Sequence, residues 1–174
     1  MRTTMKETFR WFLAVVAVSV LSFVQDVGAA DEKGFRTVPI PEREHGYSGF
    51  ESVVIDSQTG LDALLKRVKA GEGWNDGAKF IAAVKEAKID FSKEALVLLR
   101  HTEGSGSTRV GFSNPKLRDG TLQCEIIRKT VEIGMVGTAD MAFYCFALAV
   151  KKTAVNKVKL RIAGRKPVVL LVGK

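Results

Sequence analysis

From residue 50 onward the apolar positions recur in two periods, and the change from one to the other divides the chain. Val53 and Ile55 alternate with polar or less buried neighbours over 50–55, which is the period of a strand. Leu61, Leu64, Leu65 and Val68 then fall at i, i+3, i+4 and i+7, the stripe of an amphipathic helix. Thr59 and Asp62 stand three apart at its start, and Gly71 and Gly73 end it. A second stripe, Phe80, Ala83, Val84 and Ala87, begins after Asn75 or Asp76 and leaves Lys79, Lys85, Glu86 and Lys88 to water. Both stripes read as core packing against a sheet.

Past Asp90 the period changes. Apolar or alternating runs at 95–99, 109–112, 121–127, 141–150, 158–162 and 168–172 are separated by Gly, Pro, Asn and Asp, so strands dominate. Two helices ahead of consecutive strands predict an α+β fold. Its sheet is largely antiparallel, with six or seven strands forming a sandwich or a partial barrel, because the later strands leave no room for helical crossovers. Residues 95–99, 141–150 and 168–172 are apolar in both parities, as expected of central strands covered on both faces. Val158, Leu160 and Ile162 instead alternate with Lys157, Lys159 and Arg161, as in a half-exposed strand.

The N-terminal residues follow neither period. Arg2, Lys6 and Arg10 precede the apolar run Trp11–Val24, and Gly28, Ala29 and Ala30 follow, the order of a secretory signal over residues 1–30 cleaved near Ala29 or Ala30. The run is 14 residues long, short of the roughly 18 to 20 that span a bilayer. Localisation is therefore expected to be periplasmic or extracellular, with no transmembrane span. Residues 31–46 carry Pro39, Pro41 and mixed charges and are expected to be a flexible polar arm. Residues 47–174 are expected to form one domain.

Removing the signal takes away Arg2, Lys6, Arg10, Glu7 and Asp26, so the formal charge of +8 falls by only one. The cations are unevenly placed. Asp140 is the last acidic residue, and Lys151, Lys152, Lys157, Lys159, Arg161, Arg165, Lys166 and Lys174 follow it. Export bears on Cys124 and Cys145 as well, since exported cysteine pairs tend to be disulfides. An antiparallel hairpin of 121–127 with 141–150 sets Cys124 opposite Cys145 and closes a loop of about twenty residues. Two small buried thiols sharing a core without a bond are the other reading.

The stretch HTEGSGSTR, His101 to Arg109, concentrates hydroxyls, glycines and a histidine. G-x-S-x-G is absent, since Gly104-Ser105-Gly106-Ser107 runs into Thr108. A phosphate cradle would lead into a helix, but strand composition follows. The flanks favour a hairpin turn whose glycines supply positive φ. His101, Ser105, Ser107 and Arg109 would then form an exposed contact surface. A small hydrolase assembled from His101, Ser105 and a distant carboxylate is the competing reading. No metal site is expected, because His45 and His101 lie far apart and only Glu42, Glu44 and His45 stand near one another. No cofactor is expected.

The basic strand is the other candidate. Lys157, Lys159 and Arg161 share one face, with Arg165 and Lys166 beyond, so their fields add where an anionic partner approaches. Against this stands a solvated edge strand whose lysines block unwanted pairing. No nucleic acid is expected as partner, since no aromatics interleave the stripe for stacking.

The order of strand, helix, "IDFSKEALVLL" (Ile89 to Leu99), a Gly-rich turn, "RVGF" (Arg109 to Phe112), "RDGTLQCEI" (Arg118 to Ile126) and a late Lys-rich hairpin resembles the PrcB C-terminal-like domain, named after a subunit of a secreted bacterial protease complex. The likeness covers about residues 50–163. Where that family tends to carry Thr-Gly-Gly before an aromatic or aliphatic residue, this chain has Gly104-Ser105-Gly106-Ser107-Thr108-Arg109. The resemblance implies an exported, non-catalytic accessory domain that associates with or stabilises a protein partner, a protease among the candidates. It brings no catalytic residues. The residues themselves place Phe91 in the core and make Asp90 or Ser92 the cap of a local turn.

Overall fold

The computed structural model describes residues 34–129 and 140–173. The expected signal over 1–30 lies outside the described residues. Within them the chain forms two helices and nine strands in three layers. A four-stranded antiparallel sheet contains β1 (Phe35–Val38), β2 (Val53–Ile55), β3 (Glu94–Glu103) and β7 (Ala142–Lys151), in the order β1-β7-β3-β2. Helices α1 (Gln58–Ala70) and α2 (Gly77–Glu86) cover one of its faces. The other face packs on a five-stranded sheet of β4 (Arg109–Phe112), β5 (Lys116–Arg118), β6 (Thr121–Lys129), β8 (Lys157–Ile162) and β9 (Val168–Leu171). The fold is thus α+β, and the sheets form a sandwich that does not close into a barrel.

The sequence dictates this layering through β3 and β7, which are apolar in both parities. Leu96, Leu98, Phe143, Cys145, Ala147 and Ala149 meet the stripe Leu61, Leu64, Val68, Phe80 and Val84 of the helices. The alternate residues Val97, Leu99, Phe146, Leu148 and Val150 meet Leu122, Cys124, Ile126, Val158 and Leu160 of the second sheet. A strand with two dry faces needs a partner layer on each side.

The cap of α1 is Ser57 rather than Thr59: its Oγ accepts from the Gly60 amide at 3.2 Å. The start of α2 is held from a distance. The buried Glu44 carboxylate accepts from the amides of Asn75 and the N-cap Asp76 at 2.9 and 3.0 Å, which fixes the chain where it enters the helix and sets a negative charge at its N-terminal end. Asp90 caps its turn as expected, with Oδ1 accepting from the Ser92 amide at 3.0 Å, and Phe91 packs partly buried against the helix-side core.

Several expectations are corrected. The described part of the 31–46 arm is structured: β1 pairs along β7, Val38 and Ile40 are buried, and the Tyr47 hydroxyl donates to the Pro41 carbonyl. Arg36 donates to the Ala87 carbonyl and to Glu94, so the polar composition reflects tethering to neighbouring elements. The stretch 101–109 is not a hairpin between paired strands. β3 belongs to one sheet and β4 to the other, so the segment carries the chain across the sandwich, and Gly104 takes no left-handed φ. β9 is an edge strand with Val169 and Leu171 exposed, although its apolar run suggested a central place. One pair, β6 with β8, is parallel, because β7 makes the crossover through the other sheet without needing a helix.

The expected cysteine hairpin is also absent. β6 pairs with β4, β5 and β8, and Cys124 stands beside Leu160. Cys124 lies in the core between the sheets and Cys145 in the core under the helices, so a sheet separates the two thiols and both are free. Burial pushes the Cys124 thiol up to about 12 and raises that of Cys145, while hydrogen bonds from the Phe146 and Leu99 backbone and the charge of Arg100 pull the latter back only in part. Neither is a reactive thiolate at neutral pH. The native protein is expected to leave both thiols untouched by a bulky disulfide reagent and to expose both on denaturation without reductant. A change of electrophoretic mobility on reduction would contradict this.

Candidate functional site

β3 points its odd-numbered residues into the core between the sheets, and this parity carries His101 and Glu103 inward with Val97 and Leu99. His101 is 2% exposed and Glu103 4%. The His101 Nε2 donates to Glu103 Oε1 at 2.6 Å, and Arg128 Nε of β6 donates to the same oxygen at 2.9 Å. A carboxylate only accepts, so Nε2 carries the hydrogen, and Nδ1 is buried without a partner. Burial pushes the Glu103 carboxyl up, but the bonds and charges of Arg128 and His101 outweigh it and hold the group below the usual carboxylate range.

His101 therefore does not belong to an exposed contact surface, and its Nε2 is turned to Glu103. The Ser105 and Ser107 hydroxyls stand 2.8 Å from each other, the Thr108 carbonyl accepts from the Tyr144 hydroxyl at 2.7 Å, and Arg109 projects into solvent. The group ties β3 to β6 across the end of the sandwich. Arg128, which the sequence reading did not single out, supplies the countercharge.

The second candidate is more extended. Leu117, Leu122, Val158 and Leu170 form one inward rung of the five-stranded sheet, so the residues on either side of them face out. The outward rungs are Lys116–Gln123–Lys159–Val169 and Arg118–Thr121–Lys157–Leu171. Arg161 stands beside Glu125, and Arg109 beside Lys129, on the same face. Lys157, Lys159 and Arg161 thus lie where their spacing predicted. They do not lie on an edge, because β8 sits between β6 and β9, and so they do not serve to block edge pairing. Arg165 and Lys166 are exposed in the turn to β9.

Among the described residues, none of Lys116, Arg118, Lys157, Lys159 and Arg161 makes an ion pair. Their charges add over one open face. Lys116 and Arg118 were missed because β5 has three residues and two are charged. The signal was available: Asp119-Gly120 is a two-residue hairpin turn, and both residues take positive φ, 49° and 68°. Gly120 is fixed further by its carbonyl, which accepts from the Asn156 and Lys157 amides at the start of β8.

The described surface also carries concavities. A cleft of about 380 Å³ at the β8–β9 turn is lined by Lys159, Arg161, Arg165 and Glu125, with Ile162 and Pro167. A groove of about 460 Å³ runs between β2 and α1, where Phe50, Val53, Ile55 and Leu64 are apolar and Arg67 is tied to the Gly49 carbonyl at 2.5 Å. His101 lines neither. Among the described residues no cluster of three or more His, Cys, Asp or Glu could hold a metal ion. Among the described residues, too, no helix is long and apolar enough to cross a membrane. No protein-family model, curated protein or solved structure matches the chain.

The Glu103 group gives a pH test. Its folded pKa is depressed, so its contribution to stability is complete above the unfolded value of about 4.5 and is lost as pH falls through the folded value. The stability advantage of wild type over Glu103→Gln, read from urea unfolding, is expected to shrink as pH falls from about 5 towards 3. A difference that does not change with pH would show that the carboxylate is not held this way.

Proposed function

We propose that the protein is an exported, non-catalytic binding module that docks an anionic partner on the outer face of its five-stranded sheet. The observation that carries this reading is that face itself: a sheet surface on which, among the described residues, Lys116, Arg118, Lys157, Lys159 and Arg161 make no ion pair. A rigid sheet fixes the spacing of these cations, so only their side chains need ordering when a partner arrives. The likeness of Ile89–Leu99 and Arg118–Ile126 to the PrcB C-terminal-like domain supports an accessory role. An acidic face of an envelope or protease partner and an anionic envelope polymer both have the required charge. A hydrolase built on His101 draws no support from a ring closed off from solvent and bonded to Glu103.

The test is binding of the mature protein to polygalacturonate at low and moderate salt. Replacing Lys157, Lys159 and Arg161 together by glutamine is expected to weaken binding more than about tenfold, and raising salt from about 50 to 300 mM to weaken the wild type steeply. Affinity indifferent to both changes would remove the cationic face from the function.

A further inference from the structure

Resting on that reading, we propose that the partner is a linear polyanion laid lengthwise along β6, its charged groups alternating between two rows of cations that flank the strand. The register sets the rows. Lys116 and Arg118 of β5 stand on one side of β6, and Lys159 and Lys157 of β8 on the other, with Gln123 and Thr121 between them. Strands lie about 4.8 Å apart, so the rows are separated by roughly 10 Å, and successive rungs by about 7 Å along the strand. Gln123 and Thr121 are shorter than the lysine and arginine side chains beside them. The result is a trough with cationic walls and a neutral floor that can donate and accept hydrogen bonds.

The floor suits a chain and not a flat partner. Val169 and Leu171, the aliphatic residues nearest the cations, are 49% and 47% exposed, yet they spring from the same sheet as Lys159 and Lys157 and reach less far. A bilayer would meet the ammonium groups first and leave these aliphatic groups short of its acyl region, whereas interfacial anchors put their apolar groups outermost. The next rung places Glu125 beside Arg161, which lowers the attraction for an anion there and sets one end of the favoured track.

The test uses glycerol phosphate oligomers of two and six units, with vesicles of equal parts phosphatidylglycerol and phosphatidylcholine as the lipid source of the same phosphate chemistry. Binding is measured for the wild type, Gln123→Glu and Gln58→Glu. Gln123→Glu sets a carboxylate on the floor between Lys116 and Lys159, while Gln58→Glu changes net charge equally on exposed α1, on the far side of the molecule. Both sites are exposed, so neither variant disturbs the core. The wild type is expected to bind the hexamer well above the dimer. Gln123→Glu should weaken the hexamer about tenfold or more and Gln58→Glu less than about twofold, because a like charge in the contact costs far more than one screened by distance. Equal losses in the two variants would reduce the effect to net charge and overturn the trough, while leaving the cationic face in place. Tighter binding to the vesicles than to the hexamer would overturn it in favour of a lipid surface. A wild type that binds neither hexamer nor vesicles, nor polygalacturonate, would instead remove the underlying reading of the face.

Discussion

The fold depends on the double burial of β3 and β7. Each presents an apolar row to the helices and another to the five-stranded sheet, and Leu98, Leu99, Leu148 and Val150 are fully enclosed. Burying such a side chain contributes about 1.5 to 3 kcal/mol, so exposing either row would remove much of the stability of a domain this size. The central sheet is therefore covered twice. The helices can cover one face of one sheet, and they are spent on the four-stranded one. The outer face of the five-stranded sheet has no helix of the described residues over it, and β5, β6 and β8 carry lysine, arginine and polar side chains there, with Val169 and Leu171 exposed on β9.

Buried charge has a different task in this molecule. Glu44 and Glu103 are both enclosed, and each closes a gap that apolar packing leaves. Glu44 binds the two amides just ahead of α2, those of Asn75 and Asp76, from the loop before the turn at His45–Gly49. Nearby, Trp74 lies against Gly46 so closely that any side chain there would overlap the indole. Glu103 joins His101 to Arg128 where the sheets part at the end of β3. Removing a partner from either carboxylate would leave a charge in a dry site, so these contacts fix the geometry as well as add stability. Chemistry-bearing residues gathered in one stretch of sequence are here mostly scaffold.

Much of the fold was legible. The helical stripes at 61–68 and 80–87, the alternation in β8 and the double dryness of 95–99 and 141–150 each followed from periodicity, and the structure places them accordingly. What failed was pairing. Periodicity says which face of a strand is dry but not which strand lies beside it, and Cys124 and Cys145 could be set opposite one another on paper because both sit in apolar rows. The sheet between them decides otherwise. β9 reads as central for the same reason: a four-residue apolar run does not reveal that its outer side has no neighbour. His101 looked like a surface residue because the glycines after it suggested a turn, whereas the strand continues through Glu103. The cationic row of β8 was readable, but the matching pair on β5 needed Asp119-Gly120 to be read as a hairpin turn, and its place beside β6 follows from register.

That register places an accessible lattice of cations, without ion pairs among the described residues, on one face of the protein. Its most direct test is lysine acetylation footprinting of the protein with and without a saturating anionic polymer. Lys116, Lys157 and Lys159 are expected to react readily alone and to be protected together in the complex, while Lys66 and Lys85 on the helices stay unchanged. Protection of the helical lysines with the sheet lysines still reactive would contradict the account.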